Sequence, residues 1–218
     1  MMPGDIAIFL CCRTDNPALP WARAGYDCYC VDVQHPVRVP YTVRVGAGRI
    51  IKTWGDVRSW TPPAGRIAFM MAFPPCTHLA VSGARDFLKK GGWMLADALQ
   101  LFDSSIVACE YSRAPYAVEN PVGRLSSHRR KPDHIIHPWE YAGYLPDIQT
   151  ENTQKATCLW TGGGFVLPEK RPAPEPHRQD CWEAPPSLTR ADERAVTPMG
   201  FSEAVFLANH KIARMEAA

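Results

Sequence analysis

The 218-residue chain contains no apolar run of the roughly 18–20 residues needed to cross a bilayer. No basic stretch precedes its first apolar segment, so a secretory leader is not expected and the chain reads as cytoplasmic. Its 8 cysteines include no C-x-x-C pair, which argues against a zinc ribbon. His177 and Cys181, with His134 or His137, follow no recognised ligand spacing, and no metal site is expected. Without an export signal the cysteines read as reduced. Neither sign of charge dominates: 24 Lys and Arg against 22 Asp and Glu leave +2, which permits a polyanionic partner without requiring one. Internal repeats are absent. At 46% hydrophobic and 21% charged the composition excludes disorder, and the length suits one domain spanning residues 1–218.

What is present alternates between strand and helix signals. Residues 6–11 form a short apolar run that reads as a buried strand. A short helix follows Pro17 and ends near Gly25, and residues 29–33 read as a second strand with Asp32 near its end. Residues 37–54 alternate apolar and basic around Gly46 and Gly48, the pattern of a hairpin. Residues 67–73 read as a third strong strand, stopped by Pro74-Pro75. Leu95, Leu99, Phe102 and Ile106 have helical spacing within residues 93–108. Residues 116–118 read as a short strand leading into Glu119-Asn120-Pro121, and residues 158–160 and 165–167 as a second hairpin around a glycine turn. Residues 168–194 are Pro-rich and read as a loop, and residues 201–215 as a closing helix. The alternation predicts an α/β fold with a mostly parallel sheet and helices on both faces. Sites in such folds gather at the C-terminal ends of strands, where Asp32, Cys76 and Glu119 all fall.

Those positions carry a definite chemistry. A cysteine held after Pro-Pro at a strand end is a candidate nucleophile once its thiol ionises. A glutamate leaving an apolar strand can be partly buried, with a raised pKa, and act as a proton donor. Together a thiolate and an acid suit addition to a conjugated, protonatable ring. His128-Arg129-Arg130-Lys131 is the densest basic cluster, and Trp139, Tyr141 and Tyr144 follow it. These aromatics suit either stacking on bases or packing a loop onto the domain.

Phe73-Pro74-Pro75-Cys76-Thr77 with Ser82-Gly83, then Glu119-Asn120-Pro121 placed 43 residues (119 − 76) after the cysteine, resembles the DNA cytosine-C5 methyltransferases. The likeness is strongest to short, phage-encoded members and extends over residues 73–85, 119–125, 157–162 and 197–209. It implies a Rossmann-like methyltransferase fold, a DNA partner and, for a phage-encoded chain, the cytoplasm of the host cell; the sequence leaves the oligomeric state open, with a monomer favoured. Cys76 would add to C6 of a flipped cytosine, Glu119 would protonate or hydrogen-bond N3, and Asn120 would shape the pocket. Ser82 and Arg85 would lie on a loop closing over the base, while Arg129, Arg130, Lys131 and Lys155 would face DNA.

Thr157 stands where the family's second arginine is expected. The loop after the first strand, Cys11-Cys12-Arg13-Thr14-Asp15-Asn16-Pro17, has none of the glycines the resemblance implies for S-adenosylmethionine. Asp32 and Asp56 match the acids that would hold the ribose and adenine, and Pro74 would line the donor pocket. Two donors therefore remain open: S-adenosylmethionine, giving 5-methylcytosine, or 5,10-methylenetetrahydrofolate, giving 5-hydroxymethylcytosine. Arg13 and Lys52 would pair with a folate glutamate in the second case. The segment 168–194 is too short for a folded target-recognition domain, so sequence specificity is expected to be weak. An inactive DNA-binding relative and an enzyme acting on a free pyrimidine nucleotide are the alternatives.

Overall fold

The first strand, β1 (Ile6–Leu10), is buried at every position. A strand covered on both faces has no reason to alternate with polar residues. Ala7 and Phe9 enter one core, and Ile6, Ile8 and Leu10 the other. Helix α1 (Leu19–Arg23) follows, then β2 (Asp27–Val31) and an antiparallel pair, β3 (Tyr41–Val45) and β4 (Gly48–Thr53). Strand β5 (Ile67–Ala72), the long helix α2 (Gly92–Ser112) and β6 (Tyr116–Pro121) come next. A short helix α3 (Leu125–His128), β7 (His134–Ile136), the 3-10 helix Pro138–Tyr144, β8 (Thr157–Gly162) and helix α4 (Met199–Met215) complete the chain. The computed structural model describes residues 5–80, 91–178 and 196–215.

These elements build a Rossmann-like α/β domain around one eight-stranded sheet ordered β3-β4-β2-β1-β5-β6-β8-β7. The five central strands, β4-β2-β1-β5-β6, are mutually parallel, while β3, at one edge, and β8 each run antiparallel to their neighbours. On one face Trp21 of α1 stacks on Phe69 of β5 with centroids 4.5 Å apart, and Phe201 and Val205 of α4 join the same core. On the other face Ala98, Phe102, Ile106 and Cys109 of α2 are buried at helical spacing, with Phe102 edge-on to Trp160 at 5.0 Å. No described helix is long and apolar enough to cross a membrane.

The second strand ends at Val31, so Asp32 lies just beyond it and not within it. Helix α2 runs four residues further than its apolar spacing predicts, to Ser112, and stops where Arg113 turns left-handed at φ 61°. Strand β6 includes Glu119 and Asn120, because β8 pairs with it through Pro121 although its pairing with β5 stops at Val118. The expected hairpin of residues 158–160 with 165–167 does not form. The partners of β8 are β6 and β7, and Val166 is instead clamped in both directions by Asn209 of α4 (N–H to Oδ1 2.9 Å, Nδ2 to C=O 3.0 Å).

Candidate active site

The chain proceeds from β1 outward through β2 to β4, then returns to β5 on the other side of β1. Ligands in open parallel sheets bind in the crevice outside the strand ends at such a switch point. Here that crevice is bordered by the loop of residues 11–17 after β1 and by Phe73-Pro74-Pro75-Cys76 after β5.

Cys76 is exposed, and it is the only exposed cysteine among the described residues. The thiol pKa of the others is raised wherever a shift is resolved: burial lifts Cys11 to about 12, helped by the carboxylates of Asp32 and Asp56, and Cys158 to about 11, helped by Glu119, while Cys12 is raised first by its hydrogen bond with Cys30 and then by burial. The turn carrying Cys76 is tightly held. Its carbonyl accepts the N–H groups of Leu79 (2.9 Å) and Ala80 (3.0 Å), and Leu79 is fully buried. Arg124 N–H donates to the Leu79 carbonyl (2.9 Å). A Cβ on Gly123 would lie 2.1 Å from that carbonyl oxygen, so only glycine permits this approach. Asn120, fully buried, donates from Nδ2 to the carbonyl of Pro74 at 2.7 Å. The Pro-Cys turn is thus fastened to β6 at Asn120 and to the segment just after β6 at Gly123 and Arg124.

Glu119 precedes Asn120 on β6 and so points to the opposite face of the sheet. It lines a cavity of about 20 Å³ with Met71, Lys155, Thr157, Thr197 and Phe201, space for about one water molecule. The residue keeps some surface, but its carboxyl is enclosed. Burial raises its pKa, and the charge of Lys155 opposes the shift without cancelling it.

Two contacts fix the roof of this cavity. Asn16, from the loop after β1, donates from Nδ2 to the Thr197 carbonyl at 2.9 Å. Glu151 accepts the N–H groups of Met199 and Gly200 (2.9 Å for the latter), satisfying the first turn of α4. Burial raises the pKa of Glu151 while these two bonds oppose the shift. Sequence reasoning did not single out Glu151 or Asn16. Both lie in polar loops whose partners are distant in the chain, and no local pattern marks such contacts.

The other expected donor-site residues are already engaged. Asp32 is buried and accepts the Gln34 N–H on Oδ1 at 2.7 Å, while Oδ2 makes no hydrogen bond among the described residues. Asp56 is held by Arg58 (shortest contact 2.6 Å), which lowers its pKa, and Arg58 also reaches Asp97 of α2 at 2.7 Å. Arg13 bonds the Gln34 side chain at 3.2 Å, and Lys52 pairs with Asp15. Cys11 has φ 52°, the left-handed backbone that favours glycine, at a position where the chain has none.

All four residues of the basic cluster are exposed, but its two arginines are paired with carboxylates of the protein itself. Arg129 pairs with Asp103 of α2, and Arg130 makes a two-point contact with Asp133 at 2.7 and 2.9 Å. The Arg130 carbonyl accepts Trp160 Nε1–H at 3.0 Å. Lys131 is exposed. Ser82, Arg85 and Cys181 lie outside the described residues.

The three aromatics pack a loop. Tyr141 is fully buried against Phe201, Trp139 stacks on His177 at 4.0 Å, and Tyr144 donates its hydroxyl to the Glu169 carbonyl at 2.8 Å. The first part of the Pro-rich segment has neither helix nor strand, yet it is laced down through Arg171 and Ala173 N–H groups to the carbonyls of Glu140 and Trp139. Among the described residues no three His, Cys, Asp or Glu side chains are grouped to hold a metal.

Compared with known protein families and with curated proteins, the chain matches none.

Proposed function

We propose that this protein transfers a one-carbon group to C5 of a cytosine in DNA, with Cys76 as nucleophile and Glu119 as acid. The observation that carries this reading is the placement of an exposed thiol and an enclosed carboxyl with raised pKa at the ends of adjacent parallel strands, β5 and β6. The Asn120–Pro74 bond supports the reading by tying the two motifs together.

Cys76 adds through Sγ to C6 while Glu119 gives its proton, or a hydrogen bond, to N3. The ring then becomes an enamine with a nucleophilic C5. Once the new bond to carbon is made, loss of the C5 proton and expulsion of Cys76 restore the ring. With S-adenosylmethionine the balance is 5-methylcytosine, S-adenosylhomocysteine and a proton; with methylenetetrahydrofolate and one water it is 5-hydroxymethylcytosine and tetrahydrofolate. Toward the first donor Asp32 fits, since Oδ2 can take a ribose hydroxyl, whereas Asp56 is already bound by Arg58. Toward the second, Arg13 borders the crevice with positive charge, whereas Lys52 is already paired with Asp15.

The internal pairing of Arg129 and Arg130 favours one second reading, a free pyrimidine nucleotide as acceptor, because it removes two expected phosphate contacts. Mass spectrometry of nucleosides decides. DNA and dCMP are each incubated with the protein and either donor. A C5-modified base in DNA supports the proposal, modification of dCMP alone supports the second reading, and no product in either sinks both.

A further inference from the structure

The cavity beside Glu119 holds about one water, so a pyrimidine ring cannot enter it as it stands. Its walls include strand residues fixed in the sheet, Met71 of β5, Glu119 of β6 and Thr157 of β8. Of the remaining lining, Ile136 lies on β7, Phe201 on α4 and Lys155 ahead of β8, while Val196-Thr197-Pro198 has neither helix nor strand and precedes α4. Unlike the strand walls, Val196 and Thr197 are not held by sheet pairing. The start of α4 is held by Glu151, which leaves the three residues ahead of it hinged on a fixed point. Pro198 is tied back to the helix, its carbonyl accepting the N–H and hydroxyl of Ser202 at 3.0 and 2.8 Å, whereas the Thr197 carbonyl accepts Nδ2 of Asn16, on the loop that borders the switch-point crevice.

We propose that Asn16 is a positioning residue that couples the two halves of the site: a ligand in the crevice draws Asn16 away from the Thr197 carbonyl and frees the roof over Glu119 for the pyrimidine ring. The inference rests on the reading of Glu119 as the base pocket. Coupling of this kind is reciprocal, so an occupied base pocket also strengthens binding in the crevice. Its sign is fixed by the geometry. The intact Asn16–Thr197 bond opposes entry of the ring, so removing the bond mimics an occupied crevice.

The test measures affinity for a mixed-sequence duplex relative to a duplex of A·T pairs only, a ratio that reports cytosine and cancels phosphate contacts. It is read without donor and with S-adenosylhomocysteine or tetrahydrofolate. In the wild type one of these raises the ratio by about fivefold or more, the lower end of measured couplings. Asn16→Ala raises it without donor to the wild type's liganded value, and donor then adds nothing. Asn16→Asp, which cannot donate to a carbonyl, behaves alike, and melting temperatures confirm that both variants are folded.

Coupling that survives in both variants, a lower ratio in Asn16→Ala, or no donor effect in the wild type overturns the proposal. Exchange of the cytosine C5 hydrogen with solvent, measured without donor and lost in Cys76→Ala, reports the chemistry separately. If exchange persists while coupling is absent, the proposed function stands and the role of Asn16 falls.

Discussion

Asn120 Nδ2 reaches the Pro74 carbonyl at 2.7 Å from a position with no exposure to solvent. A residue placed by resemblance in the base pocket is therefore also the fastener between the strand that carries the acid and the turn that carries the thiol. Asn120→Ala leaves that buried carbonyl without its partner, which costs about 1–3 kcal/mol of stability. Loss of C5 exchange should exceed what the fall in folded fraction explains, because the Cys76 turn is no longer in register with Glu119. Chemical denaturation and the exchange assay on the same sample check both parts.

The exposure contrast among the cysteines predicts selective labelling. Under native conditions iodoacetamide should modify Cys76 before any other described cysteine, and Cys76→Ser should remove that first adduct. Peptide mass spectrometry at short times reads the order. Prior labelling of Cys109, which is buried and whose thiol pKa is pushed up by burial, would contradict the assigned burial.

Glu119 should impose an alkaline limb. Its pKa is raised, chiefly by burial, so the proton needed at N3 persists above the ordinary carboxylate range and is lost as pH climbs through the folded value. The stability linked to this group has the same sign: it is full below the unfolded pKa and fades as pH rises through the folded one. Glu119→Gln should abolish the limb and slow the reaction by roughly 10²–10⁴-fold, the usual worth of a positioned acid. A pH–rate profile in which the limb survives the substitution assigns it to another group.

Glu151 predicts a purely structural loss. Glu151→Ala strips the acceptor from two N–H groups at the head of α4 and should cost about 0.5–2 kcal/mol, as for a removed helix cap. Hydrogen exchange at Gly200 should quicken more than exchange in β1, which separates fraying of α4 from global destabilisation.

The basic cluster divides into staples and a contact. Lys131→Ala should lower the salt dependence of DNA binding by about one counterion, the value for a single phosphate contact. Arg130→Ala should chiefly lower the melting temperature, since Arg130 is committed to Asp133. Equal salt slopes for wild type and Lys131→Ala would place the DNA elsewhere.

The parallel core was legible in the sequence because burial on both faces leaves unbroken apolar runs, as in β1 and β5. The amphipathic spacing of α2 was equally plain, though not its end, which is set by a left-handed Arg113 that residue type does not advertise. β7 escaped notice because three residues carry too little periodicity to read. The 165–167 segment misled because its backbone is held by the Asn209 side chain of α4 and not by a strand, while Phe165 packs against the face of the sheet at Phe69, and only tertiary packing reveals this. At the site, motif spacing led to Cys76 and Glu119. The commitments of Arg58, Arg129 and Arg130 were invisible, since a charge run looks the same whether its partners are phosphates or the protein's own carboxylates.

Strand β6 continues past its pairing with β5 because β8 supports its last residues. Glu119, Lys155, the basic cluster and all three strands β6, β7 and β8 therefore belong to one continuous stretch of chain, 116–162, whose hydrogen-bonded register is largely its own. That stretch is seated on the rest of the chain by a set of catches: by three rungs of β5–β6 pairing, Asn120 on Pro74 and the residues around Gly123 on Leu79, and by Trp160 on Phe102, Arg129 on Asp103, Tyr141 on Phe201 and Glu151 on the head of α4. A chimera that preserves those catches should exchange the segment that carries Glu119 while leaving the turn that carries Cys76 in place.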